Sequence, residues 1–205
     1  MSADELADYF SRLEVEMVLA RARTRARAAA SSAPAYTSRP STPTVGSTAY
    51  TVYVGLEPGV YTTLPACLRQ VEAVPHNSYK SFSSFSAAQR AFSAAAERGL
   101  VSTAAERAAD IRRVVERQCM DLADLPLCLA FVDDPTSKAM VEGSHRFYVV
   151  YSGLQPGVYL TYHECTYLTS GYKGARHRSF VTEEEAVESM KEELRSGRVY
   201  KFVLQ

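Results

Sequence analysis

GLEPGVYTT at residues 55–63 recurs as GLQPGVYLT at residues 153–161, and this recurrence decides how the chain is read. The offset is 98 residues. Carried outward without gaps, it aligns Tyr50 with Tyr148, Val52 with Val150, Tyr53 with Tyr151, Cys67 with Cys165, Ser81 with Ser179, Phe82 with Phe180 and Ala88 with Ala186. Residues 50–92 and 148–190 share 14 identities in 43 positions, against roughly one in twenty expected by chance from average composition. The two segments are copies of one unit.

Each copy has the same local grammar. YTVYV at 50–54 and YVVYS at 148–152 are β-branched and aromatic, as strands require. Pro58-Gly59 and Pro156-Gly157 suit the central positions of a type II turn, where Pro presets φ and Gly accepts φ > 0. The return strands are then Val60–Thr63 and Val158–Thr161. Thr63 and Thr161 stand where a helix begins, and Thr161 has Glu164 three residues on, the pattern of a capping box. A short strand ending in Phe82 or Phe180 follows. A second helix is opened by Ser83 or Ser84 in one copy and by Thr182 with Glu185 in the other, and Gly99 and Gly197 fall at the C-terminal caps. The fold class expected is α+β, with two small β-β-α-β-α modules, each a three-stranded antiparallel sheet backed by two helices, joined by a partly helical insert.

The organisation expected is an N-terminal helix over 1–28, a Ser/Thr/Pro-rich linker over 29–49, a first module over 50–99, an insert over 100–145 and a second module over 146–205. The N-terminal helix carries Leu6, Phe10, Leu13 and Met17 on one face and four arginines behind them, read as a solvated helix end. In the insert, Thr103 with Glu106 caps a helix whose apolar face is Ala104, Ala108, Ile111 and Val115, and LCLAFV at 127–132 reads as an extra strand.

Hydrophobic residues at 46% and charged residues at 22% are the mix of a chain with a packed core. Lys plus Arg equals Asp plus Glu at 23 each, so a nucleic-acid contact would have to come from a local patch. The four cysteines show no CxxC, which argues against zinc and for reduced, buried thiols. No membrane span or secretory signal is read, and the expected residence is intracellular, cytoplasmic or nuclear.

The pattern YxVYxGxxPGVYxTxxxC followed by KSF or RSF, at Tyr50–Cys67 with Lys80–Phe82 and at Tyr148–Cys165 with Arg178–Phe180, resembles the N-terminal hybrid-binding domain of type 1 ribonuclease H and the caulimovirus viroplasmin domain. The resemblance covers about 100 of the 205 residues, in two blocks. It implies a module that grips RNA/DNA hybrid or double-stranded RNA from the wide, shallow A-form minor groove, which displays 2′-hydroxyls. It places the loop into the first helix against ribose hydroxyls, at Thr63 and Thr161. The loop aromatic falls on Tyr162 in the second copy and on Leu64 in the first. The aromatic-basic pair falls on His177 and Arg178 or on Tyr79 and Lys80, the next position on Ser179 or Ser81, and Arg176 adds a charge nearby. The basic residues of the family's first hairpin are replaced by Leu56 and Glu57, or Leu154 and Gln155. The nucleic-acid-binding set is thus Tyr162, Arg178, His177, Arg176, Ser179, Thr161, Lys80, Tyr79, Ser81 and Thr63, weighted toward the second copy.

No catalytic residue, metal or cofactor is expected. A nuclease of this kind needs several carboxylates converging on magnesium. Asp133-Asp134 reads instead as a turn before Pro135, and Glu183-Glu184-Glu185 as a first helical turn favoured by the dipole. The competing reading is a protein-interaction or dimerisation module with a degenerate nucleic-acid site.

Overall fold

The structure, a computed structural model, describes residues 48–113, 115–143 and 145–205. The helix expected at 1–28 and residues 29–47 of the expected linker lie outside the described residues. The chain divides into two compact units, one holding the first copy through Asp110 and the other running from Ile111 to Gln205.

The first unit runs β1 (Ala49–Gly55), β2 (Gly59–Tyr61), α1 (Leu64–Val71), β3 (Ser78–Phe82), α2 (Phe85–Glu97), β4 (Ser102–Thr103) and α3 (Ala104–Ile111). β1 is central, with β2 and β3 antiparallel on its two edges and β4 parallel to its last residues, Val54 and Gly55. Side chains alternate along β1, so Ala49 and Thr51 point to one face and Tyr50 and Val52 to the other. The first face packs on α2: Ala49 and Phe82 cluster with Ala87, Ala88 and Ala91, and Thr51 Oγ1 donates to the Ala88 carbonyl at 3.1 Å. That approach needs alanines at the contact. The second face packs on α1 through Val52, Cys67 and Val71. The two helices therefore sandwich the sheet rather than sharing one side of it.

The second unit repeats this frame and enlarges it. Its elements are β5 (Val115–Met120), a 3-10 turn (Leu122–Asp124), α4 (Leu125–Leu129), α5 (Pro135–Ala139), β6 (Phe147–Gly153), β7 (Gly157–Tyr159), α6 (Tyr162–Thr169), β8 (Arg176–Phe180), α7 (Glu183–Arg195) and β9 (Val199–Leu204). β6 is central, paired antiparallel with β7 and β8, while β9 joins the end of β6 in parallel and carries β5 antiparallel along six residues. Both copies interrupt the register at the same place, between Val52 and Val54 and between Val150 and Ser152.

The stretch between the repeats is shared out. Thr103 and Glu106 make the expected cap, the Thr103 backbone N–H donating to Glu106 Oε2 at 2.8 Å, and that helix belongs with the first copy. Residues 115–143 belong with the second. Met120, Leu127, Cys128 and Val132 enter one core with Val149, Val158 and the α7 residues Ala186 and Met190, and Phe131 stacks on Tyr159 at 5.1 Å.

Five expectations need correction. The α3 helix stops at Ile111, and Val115 begins β5 instead of completing an apolar helical face. LCLAFV at 127–132 is not a strand; its first residues end α4, which has a Pro in its first turn, where the missing N–H costs nothing. Each sheet has strands beyond the expected three, four in the first unit and five in the second. Gly59 and Gly157 are not among the residues with positive φ, so the Pro-Gly pairs do not form type II turns. Instead Gly59 and Gly157 open the return strands, and the Tyr two residues on reaches back across the bend: Tyr61 Oη donates to the Glu57 carbonyl at 2.6 Å, and Tyr159 Oη to the Gln155 carbonyl at 2.8 Å. Finally, Cys67, Cys128 and Cys165 are buried free thiols, but Cys119, on β5, is exposed. Gly99 and Gly197 do take left-handed φ of 66° and 64° at the helix ends.

Candidate nucleic-acid interface

Gly153 closes β6 beneath the end of α6. A Cβ there would lie 2.6 Å from the Leu168 carbonyl oxygen, and the next residue's N–H donates to that same oxygen at 3.0 Å. Gly55 stands in the same relation to Gln70. The first helix of each copy is thus seated on its central strand, and its N-terminal end is aimed by that seating.

Thr161 caps α6. Its hydroxyl accepts from the Glu164 backbone N–H at 3.2 Å and donates to Glu164 Oε2 at 2.8 Å, and its own N–H donates to the same carboxylate oxygen at 3.0 Å. The other carboxylate oxygen of fully buried Glu164 receives the Ser137 hydroxyl at 3.0 Å. Thr161 is therefore spent on fixing the loop, and α5 buttresses it from the insert. In the first copy Ala66 replaces Glu164, and Thr63 makes only the cap bond to the Ala66 N–H, at 3.4 Å.

That rigid cap presents Tyr162, the first residue of α6, with 60% of its surface exposed. Its ring lies 5.7 Å from the ring of Tyr148, tilted by 52°. Cross-strand pairing puts Ser179 opposite Tyr148 and His177 opposite Val150, so both share the sheet face covered by α6. Tyr162, Tyr148, Ser179 and His177 form one surface. Burial pushes the Tyr148 hydroxyl up from the ordinary tyrosine value, which keeps it a neutral donor.

Arg178 pairs with Val149 and leaves on the opposite face, the α7 side, where its guanidinium sits 5.2 Å from the Phe180 ring. No carboxylate pairs with it among the described residues. Arg176 differs. It donates to Glu193 at 2.6 Å and to the Arg198 carbonyl at 2.9 Å, and lies over the Tyr151 ring at 5.1 Å. Hydrogen bonds from Arg198 and Arg176 hold the Glu193 carboxyl below its usual range. The run Arg176-His177-Arg178 is thus not one cluster: it is split across the sheet, and Arg176 is already neutralised.

In the first copy, Tyr79 lies opposite Val52 and Ser81 opposite Tyr50, on the α1 face with Leu64. Leu64 is 41% and Tyr79 45% exposed. Lys80 sits opposite Thr51, its ammonium 5.0 Å from the Phe82 ring. This face has Leu64 and Tyr79 where the second copy's has Tyr162 and His177. Sequence reading missed Tyr148 as a surface partner of Tyr162, having counted it among sheet residues; the alternation that places it opposite Ser179 is the signal that finds it.

Among the described residues no three His, Cys, Asp or Glu side chains gather as a metal site, and no helix is long and apolar enough to cross a membrane. Comparison with curated proteins and with solved structures returns no match. Against protein families, residues 48–92 and 146–189 each match the Ribonuclease H1 N-terminal domain. The segments built on β1 and β6, residues 48–92 and 146–189, therefore both match that domain, carried in tandem on one chain.

Proposed function

We propose that this protein binds RNA/DNA hybrid or double-stranded RNA without cleaving it, mainly through its second copy. The observation that carries this is exposed Tyr162, on a capped helix start, set against half-buried Tyr148, with His177 and Ser179 on the same face. A ring offered to a sugar or base face contributes on the order of 1 to 3 kcal/mol, and an A-form minor groove is wide enough to receive it. An intracellular residence goes with such a ligand, and no cofactor is called for.

The test is a titration of hybrid, double-stranded RNA and double-stranded DNA of equal length at low salt. The A-like duplexes bind more tightly than DNA, with a shallow salt dependence of about two to four phosphates at roughly 0.7 to 0.9 log units each. Equal binding of all three, no binding, or cleavage of the hybrid in magnesium by extensively purified protein overturns the reading. A second reading, docking of a protein or self-association, is favoured by the exposed Leu56, Leu64 and Tyr79 of the first copy.

A further inference from the structure

Arg146 immediately precedes β6 and stands two residues before Tyr148. Continuing the alternation of that strand puts it on the α6 face, at the rim of the Tyr148–Tyr162 pair. Its side chain is exposed, and no carboxylate pairs with it among the described residues. Its charge is felt where a ligand would lie, since the guanidinium draws the Tyr148 hydroxyl down while burial, the larger influence, pushes it up. The corresponding residue of the first copy, at the same 98-residue offset, is Thr48.

This arrangement answers a question left by the interface. Arg176 is consumed by Glu193, and Arg178 leaves from the far side of the sheet, so neither supplies a fixed charge on the face that carries the tyrosines. Arg146 does. A guanidinium can hold a phosphate by two parallel hydrogen bonds, and an arginine beside two rings can grip the backbone of a strand whose sugars lie on those rings.

We propose that Arg146 is a phosphate-binding residue of the second copy, holding the backbone of the strand that packs on Tyr148 and Tyr162. This rests on the nucleic-acid reading above. The experiment is anisotropy with a labelled hybrid across a salt series, using full-length protein with Arg146→Ala, Arg146→Lys and Tyr162→Ala, each checked for an unchanged thermal melt. Arg146→Ala weakens binding about tenfold at low salt and lowers the salt slope by about one phosphate, ~0.7 to 0.9 log units; Arg146→Lys recovers most of the slope and part of the affinity. If Arg146→Ala binds within twofold of wild type with the slope unchanged while Tyr162→Ala is weakened, the assignment of Arg146 fails and the interface stands. If wild type does not bind the hybrid at low salt, both fall together.

Discussion

The two copies share a frame and differ in what the frame displays. Both seat their first helix on a strand-ending glycine, both reach back across the first bend with a tyrosine hydroxyl, and both break register at the same residue of the central strand. The helix start then diverges. In the second copy a full capping box, buttressed by Ser137, holds out Tyr162; in the first a single long cap bond holds out Leu64. The second copy also receives residues 115–143 into its core and gains β5, whereas the first ends its sheet with the two residues of β4. The shared features are those that set backbone geometry. The divergent ones lie in how the helix start is braced, in which side chain it holds out to solvent, and in what the second core receives from residues 115–143.

The largest effect expected is one that does not distinguish the copies. Gly55→Ala and Gly153→Ala each push a methyl to within 2.6 Å of a helix carbonyl oxygen that has no freedom to withdraw. Each lowers the stability of its own module by about 1 to 3 kcal/mol, read by hydrogen exchange resolved along the full-length chain. Protection lost in one module alone, for both variants of the pair in turn, confirms that the seating is common to the two. A harmless Gly55→Ala beside a damaging Gly153→Ala breaks the equivalence on which the comparison rests.

Binding comes next, and here the copies part. Tyr162→Ala weakens hybrid binding about tenfold, a loss of about 1.4 kcal/mol, while Leu64→Ala, Lys80→Ala and Arg178→Ala, the last on the opposite face of its sheet, cost a few-fold at most. Anisotropy at one fixed low salt concentration checks this. Abolition by Leu64→Ala with Tyr162→Ala intact reverses the ranking, and the first-copy face beside α1 is then the ligand's seat.

How far this was legible in the sequence follows from where each feature is encoded. The strand and helix order is written locally twice, in β-branched runs, cap residues and C-terminal glycines, so it could be read. The outer strands could not: β4 is two residues long, and VERQCM of β5 is too polar to announce itself, since it becomes a strand only because β9 offers it an edge. The apolar run at 127–132 carries no period that separates helix from strand, and the core of the second copy decides it. At the interface, the residue types were legible but their grouping was not. Arg176 to Arg178 look like a patch in the chain, yet strand alternation divides them, and the ion pair of Arg176 with Glu193 joins residues 17 apart through the packing of α7 beside β8. The alternation that would have separated Arg178 from His177, and placed Tyr148 beside Tyr162, was available all along.

The smallest effect sharpens the comparison in the loop after the first helix. The second copy has Gly171 and Gly174 there with φ of 88° and 83°, while the first has Ala73 and His76 at the equivalent positions, both with φ of 58°. A non-glycine residue in this left-handed region carries a steric cost of roughly 1 to 2 kcal/mol, from its Cβ against the following carbonyl. Replacing Ala73 by Gly removes that cost and returns about 0.4 to 1 kcal/mol of it through the greater freedom of the unfolded chain. The net for Ala73→Gly is a stabilisation of the first module by about 0.5 to 1 kcal/mol, a rise of a few degrees in melting temperature for a domain of this size. Gly171→Ala moves the other way, because it acquires the left-handed cost and brings a methyl against the side chain of Ile111. Circular-dichroism melts of the two variants, taken with wild type under one set of conditions, give opposite shifts. Shifts of the same sign would show that the loops of the two copies are not held in the same backbone conformation, and the 98-residue correspondence would end at α1.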